Sequence, residues 1–499
     1  MKKHNTFKVV LITILVLMLL TWILPAAYYS SGYVDQGRVQ MGLFDLFNYP
    51  ITTISYIGYI SLYVIVVGGL YGVLSKIDAY RSLLDKLVAK FKGKEKIVLS
   101  VIMVLLAVLT SICGLQLGLV IFFPMLISLI LLMGYDKITA AMVIVGSIMV
   151  GIAGTTFGYG NTSIIMSVLS IKITSEIVSK IAILVLGLAL LIFNTLVYVK
   201  AISAKKTTSK KVTVKKTTTK KSSKTTKAAL KDEEVVVVKE LGDSNKYVPT
   251  KVSSRKKVTL WPMIVAFSLL FVILVLAFIS WSGAFANTAF EKATEAVTGF
   301  ELFGFPLFGK LLGSVNPFGV WTVSDMITVT VVIMLLLALI YKVSFDDVVD
   351  GFVSGAKRAL APAVLIILIY TCLVIVTYHP FQLVIYKAIL GLTKKFNIVT
   401  SLLVAILSSL FNVDPAYAFQ SSLPYLTSVV KSTKNYPLVG LMFQSVYGLI
   451  MLVAPTSVIL MGILSYLEIS YKTWLKTIWK LLVELFAVLL VIFIIVVLI

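Results

Sequence analysis

Cysteine and histidine are almost missing from this sequence, with two of each in 499 residues. Cys113 and Cys372 both sit in apolar stretches, which excludes a disulfide framework and any Cys/His spacing for zinc. No metal or cofactor is expected from these residues. The HExxH and GxSxG patterns are also missing. Gly304-Phe305-Pro306-Leu307-Phe308-Gly309-Lys310 matches most of a P-loop by count, but Leu311 stands where the magnesium-holding Ser or Thr belongs. Without a catalytic constellation, no enzyme is expected.

Acidic residues are scarce as well, 22 against 45 basic ones, for a formal charge of +23. Between Lys200 and Lys257 there are 18 basic and 5 acidic residues, so 18 − 5 = 13 of that excess lies in one stretch. From Lys205 to Lys227 paired lysines recur among Thr and Ser, a low-complexity run expected to be disordered. Its expected partner is the anionic lipid headgroup rather than nucleic acid, since basic residues beside a membrane are each attracted by about 1 kcal/mol.

What abounds is apolar. Hydrophobic residues make up 59% of the chain, and runs of about 18 or more recur throughout, which excludes a soluble globular protein. Met1-Lys2-Lys3-His4 followed by Val9 to Leu24 and Pro25-Ala26-Ala27 imitates a signal peptide. A loosely similar pattern from Phe278 to Phe285, also followed by a Gly-containing loop, suggests retained helices instead. Lys76 to Lys96 reads as a basic amphipathic helix on the cytoplasmic face, with Lys342 to Arg358 as its counterpart.

One device occurs twice. Two apolar arms meet at Cys113-Gly114-Leu115-Gln116-Leu117-Gly118, and a second pair meets at Ser408-Ser409-Leu410-Phe411-Asn412-Val413-Asp414-Pro415. Each pair precedes an apolar segment that is interrupted, first across Gly154 to Ser163 and then at Val453-Ala454-Pro455-Thr456-Ser457. Non-helical backbone at membrane depth survives only when buried in protein or lining a polar cavity, and paired interruptions point to a transporter's site. The arms read as re-entrant hairpins, about 96–133 and 396–430, with broken helices at about 138–167 and 437–466. Ordinary crossing helices are the alternative for the first arms, but they would place the Lys-rich linker outside, against the positive-inside rule.

The expected fold is therefore an all-α polytopic membrane protein with inverted structural repeats. It has about nine transmembrane helices, two re-entrant hairpins and two broken helices. Residues 1–199 form the first membrane half, 200–257 a linker and 258–499 the second half. The N-terminus and linker are expected in the cytoplasm, the C-terminus outside and the chain in the cell membrane.

A broken helix offers amides to a carboxylate and carbonyls to sodium. Gly114, Gly158 and Gly160 permit close backbone approach, while Gln116, Asn161, Thr162 and Ser163 add short polar groups. Gly154 and Gly158 also fit a helix-packing GxxxG. Pro455 frees a carbonyl, and Thr456 and Ser457 answer Thr162 and Ser163 in the second half. Asn412 sits at the second tip. Asp414 beside it is either a coupling residue for a proton or sodium or the N-cap of the helix starting at Pro415. His379, before Pro380, suits a kink-associated hydrogen bond better than a proton relay.

Gln444 to Trp474, with Ala454-Pro455-Thr456-Ser457, Leu460-Met461-Gly462, Tyr471 and Trp474, resembles the four-carbon-dicarboxylate anaerobic carrier-like family of the ion transporter superfamily. Gly134-Tyr135-Asp136-Lys137-Ile138-Thr139 is similar too. The resemblance implies an ion-coupled or exchange carrier for an organic acid or amino acid, with its sites at the hairpin tips and helix breaks. The first tip departs from the family pattern, with Gln116-Leu117-Gly118-Leu119 where relatives often carry acidic residues. The expected function is secondary transport of a carboxylate-bearing solute by alternating access, with sodium or a proton as coupling ion; a channel or a non-transporting membrane sensor is the alternative. A homodimer is compatible with this reading.

Overall fold

The computed structural model describes residues 5–218, 247–249, 258–393 and 396–498. Helices dominate. α1 (Asn5–Ile23) leads into a short antiparallel hairpin of β1 (Ala26–Tyr29) and β2 (Tyr33–Gly37), followed by α2 (Asp45–Leu74) and the amphipathic α3 (Asp78–Lys90). The first pair of arms is α4 (Glu95–Cys113) and, after a 3-10 turn at Leu117–Phe122, α5 (Phe123–Leu132). The interrupted segment is α6 (Lys137–Ala153), which contains a π turn at Met142–Gly146, and α7 (Tyr159–Leu169). α8 (Ile177–Thr218) closes the first half.

The second half opens with α9 (Trp261–Phe278). Three short helices, α10 (Trp281–Phe285), α11 (Ala289–Thr298) and α12 (Leu307–Leu312), lead to α13 (Val323–Ile340) and α14 (Phe345–Tyr378). α15 (Gln382–Leu390) precedes the second pair of arms, α16 (Ile398–Phe411) and α17 (Pro415–Val429). The second interrupted segment is α18 (Tyr436–Ile450) and α19 (Val458–Leu467), and α20 (Tyr471–Leu498) ends the chain.

Eight of the described helices are long and apolar enough to cross a membrane. One of the eight is α4, expected as a hairpin arm, whose 19 residues approach the roughly 20 that a crossing needs. The second arms are shorter, at 14 and 15 residues. Lys342 to Arg358, expected as an amphipathic counterpart of Lys76 to Lys96, instead runs on into an apolar span as the 34-residue α14. Pro362 is accommodated inside it, and Ser344 caps its start by accepting from the Asp347 amide.

α8 likewise passes the expected boundary at residue 199 and continues to Thr218, so the start of the Lys-rich run is helical rather than disordered. Extending a formed helix adds a hydrogen bond per residue without a new nucleus. Residues 219–246 and 250–257 of that linker lie outside the described residues. Tyr247 and Pro249 are tied to the membrane body: Ser128 Oγ donates to the Tyr247 carbonyl at 2.6 Å, Lys137 Nζ lies 5.0 Å from the Tyr247 ring centre, and Arg81 Nη1 donates to the Pro249 carbonyl at 2.6 Å.

α2 and α14 pack closely along a seam of small residues. A Cβ on Gly72 would lie 2.0 Å from the Gly351 carbonyl oxygen, and one on Gly355 would lie 2.1 Å from that of Gly68. Such contact is how apolar helices associate in lipid, where packing replaces the hydrophobic effect. Ser61 Oγ adds a bond to the Ala363 carbonyl at 2.9 Å. At the far end, His379 Nδ1 lies 2.7 Å from the Val39 carbonyl and Nε2 lies 2.7 Å from the Tyr49 hydroxyl. A carbonyl only accepts, so Nδ1 donates to Val39; in the neutral ring Nε2 then accepts from Tyr49. This is the structural bond expected beside Pro380.

Candidate functional site: two tips packed into two helix breaks

The first interruption is residues 154–158, between the end of α6 at Ala153 and the start of α7 at Tyr159. It is shorter than the sequence suggests: Gly160, Asn161, Thr162 and Ser163 lie in the first turns of α7. A break in buried backbone must find partners for its orphan amides and carbonyls. Here one residue of the first arm supplies several. The amides of Thr156, Phe157 and Gly158 all donate to the Ser111 carbonyl, at 3.0, 3.3 and 3.1 Å. Ser111 Oγ in turn donates to the Gly154 carbonyl at 2.7 Å and lies 3.1 Å from Thr156 Oγ1.

Three residues beyond Ser111, Gly114 ends α4 with φ +70°. Its left-handed backbone turns the tip onto the break, where a Cβ would stand 3.4 Å from Gly158 Cα and 3.8 Å from the Gly160 nitrogen. Gln116 precedes the 3-10 turn and is half-buried. Thr162 is buried, its Oγ1 donating back to the Gly158 carbonyl at 3.2 Å. Ser163 is half-buried and Gly160 exposed. The Asn161 side chain lies outside the described residues. Phe157 stacks on Phe285 of α10 at 5.6 Å, so the connection after α9 covers this break.

The second interruption runs from Met451 to Ser457. Trp474 Nε1 donates to the Leu452 carbonyl at 2.8 Å, and the Tyr471 hydroxyl donates to that of Val453. Pro455 has no amide to satisfy. Thr456 Oγ1 reaches the second tip, donating to the Leu410 carbonyl at 3.2 Å. Ser457 is the N-cap of α19 and is 1% exposed, and its Oγ has no hydrogen-bond partner among the described residues.

At the second tip Asn412 Nδ2 donates to the Ser408 carbonyl at 2.9 Å and to Gln382 Oε1 at 3.3 Å. Asp414 is the N-cap of α17, accepting from the Ala416 amide at 2.8 Å. It has no ion pair among the described residues, and Tyr59, Tyr370 and Tyr447 lie within its electrostatic reach. No group of three or more His, Cys, Asp or Glu among the described residues gathers around a point that a metal ion could take.

One turn of α18 joins the two centres. Gln444 Nε2 donates to the Thr155 carbonyl at 2.8 Å and Ser445 Oγ to that of Ala153 at 2.9 Å, both at the first break. The Tyr447 hydroxyl donates to the Val413 carbonyl at 2.9 Å, at the second tip. Gly448 permits the approach, since a Cβ there would lie 2.4 Å from the Ala153 nitrogen. Sequence reasoning singles out Gly114, Gly158 and Thr456, and the structure sets Gly114 against Gly158 and Thr456 against the second tip. It misses Ser111, Gln382, Ser445 and Tyr447, whose partners are far away in sequence; an Ser three residues before a tip glycine is the only local hint.

The sequence profile of the C4-dicarboxylate anaerobic carrier family matches residues 4–301 and 242–499. The chain belongs to this family. Among curated proteins the chain is 29% identical over 145 residues to an uncharacterized protein of Haemophilus influenzae, a match covering 29% of this chain and 28% of that protein, well under two thirds of its length. Among solved structures the chain is similar to the Alcanivorax borkumensis YdaH transporter, at 14% identity and a TM-score of 0.42 over 99% of this chain and 97% of that one. The chain is thus a multi-pass membrane protein of the C4-dicarboxylate anaerobic carrier family.

Proposed function

We propose that this protein is a secondary transporter that moves a carboxylate-bearing solute, a dicarboxylate or an amino acid, by alternating access. One observation carries the reading: each hairpin tip is hydrogen-bonded to the helix break that follows it, Ser111 to residues 156–158 and Leu410 to Thr456. Helical rods would need no such caps. The family's name supports a four-carbon dicarboxylate as the solute.

The substrate carboxylate meets the α19 N-terminus, where Ser457 Oγ is buried and without an acceptor, together with the α7 N-terminus, which no side chain caps. Both ends carry the partial positive charge of the helix dipole. Sodium or a proton couples through Asp414, whose carboxylate has no cationic partner among the described residues. The two halves are inverted repeats in the cell membrane, with the N-terminus and the Lys-rich linker inside, where the linker meets anionic headgroups, and the C-terminus outside.

Uptake by purified protein in proteoliposomes tests this reading. Radiolabelled succinate, aspartate or another carboxylate accumulates against its gradient when a sodium or proton gradient is imposed. Entry that only equilibrates, with no response to either ion gradient, would instead support the channel.

A further inference from the structure

Gln382 is the first residue of α15 and is 4% exposed. The orientation of its amide is fixed by a relay. The Ser408 carbonyl can only accept, so Asn412 must turn Nδ2 toward it; the same Nδ2 then donates to Gln382, which must answer with Oε1. Oε1 also accepts from the Tyr386 hydroxyl at 3.3 Å. This leaves Gln382 Nε2 buried and without an acceptor among the described residues. Among the described residues the backbone amides of Gln382 and Leu383, at the start of the same helix, have no acceptor either, and no side chain caps them. Three donors thus share one buried helix end. Buried donors in this number call for an anion or its equivalent.

The place matters. Gln382 bonds Asn412, and Thr456, beside Ser457, bonds Leu410. Leu410 and Asn412 are two residues apart, at most about 7 Å of chain, so the N-terminal ends of α15 and α19 are both bonded to the same tip.

We infer that Gln382 and the N-terminus of α15 form a second carboxylate subsite, which distinguishes dicarboxylates from monocarboxylates. The inference rests on the transporter reading above, in which the first carboxylate lies at α19. Gln382 is a specificity-determining residue: its Nε2 donates to the distal carboxylate while its Oε1 holds Asn412 in place.

The test compares succinate with butyrate, which has the same number of carbons but a single carboxylate, by binding to the purified full-length carrier. Q382E keeps an acceptor for Asn412 and Tyr386 and removes the donor; Q382M removes both and serves if Q382E lowers the unliganded midpoint of unfolding. Expected is a tenfold or larger rise in the succinate Kd in either variant, with the weaker butyrate Kd unchanged. Succinate affinity equal to wild type would overturn the subsite and leave the transporter reading standing. An equal loss for succinate and butyrate would also overturn it, because Gln382 would then act only through the tip. If wild type binds no carboxylate, the transporter reading fails and takes the subsite with it.

Discussion

Gln444 on α18 donates to the carbonyl of Thr155, 2.8 Å away and 289 residues earlier in the chain. That carbonyl lies inside the first helix break, so a residue of the second half caps an opening in the first. The same turn of α18 holds the second tip through Tyr447 and Val413. A single helix thus holds hydrogen bonds to both centres.

Gln444→Leu keeps the volume and removes the donor, leaving the Thr155 carbonyl buried without its partner. The expected loss is about 1–3 kcal/mol of stability, with transport falling further than stability does. A thermal unfolding curve alongside an uptake rate checks both. Uptake matching wild type would show that the two centres work independently.

Asp414 offers a cleaner separation of roles. Asp414→Asn retains an oxygen for the Ala416 amide and removes the charge, so the unfolding midpoint stays near wild type while ion-coupled uptake is lost. Asp414→Ala loses the cap as well and costs about 1 kcal/mol more. Retained ion coupling in the Asn variant would restrict Asp414 to capping.

Two glycine substitutions test the helix seam. Gly72→Ala places a methyl 2.0 Å from the Gly351 carbonyl, which α2 and α14 can relieve only by moving apart; folded yield from membranes is expected to drop severely. Gly462→Ala has nothing within 4 Å of the new methyl, and its midpoint should remain within about 0.5 kcal/mol of wild type.

Gly114→Ala addresses the first tip. The residue sits at φ +70° with its Cβ direction 3.4 Å from Gly158 Cα. The added methyl fits by contact, but a left-handed backbone costs an L-residue about 1–2 kcal/mol. A lowered midpoint with the break intact is the expected result, measured by thermal unfolding and by the accessibility of a cysteine introduced at Gly160, which is exposed.

The elements visible in the sequence were those marked by residues that helices avoid. Pro455 and the glycines around Gly158 stand out in apolar surroundings, and both interruptions fall there. Asp414 before Pro415 signals its own cap. Less visible were features set by distant partners. The glycines of α2 and α14 look like ordinary residues of apolar spans until the helices cross, and Pro362 hides the continuity of α14. Ser111 and Gln382 carry no local pattern, because what defines them is a partner far along the chain, residues 154–158 for Ser111 and Asn412 for Gln382. A break offers its peptide dipoles to a ligand only where protein does not use them: the amides of residues 156–158 and the carbonyls of residues 153–155 are bonded to protein.

Counterflow is the most direct measurement of the central claim. Proteoliposomes loaded with unlabelled succinate are diluted into trace labelled succinate, with ion gradients collapsed. An alternating-access carrier draws the label in above its equilibrium level and then releases it, giving a transient overshoot that empty vesicles lack. A monotonic rise to equilibrium, unaffected by succinate inside, would contradict the account.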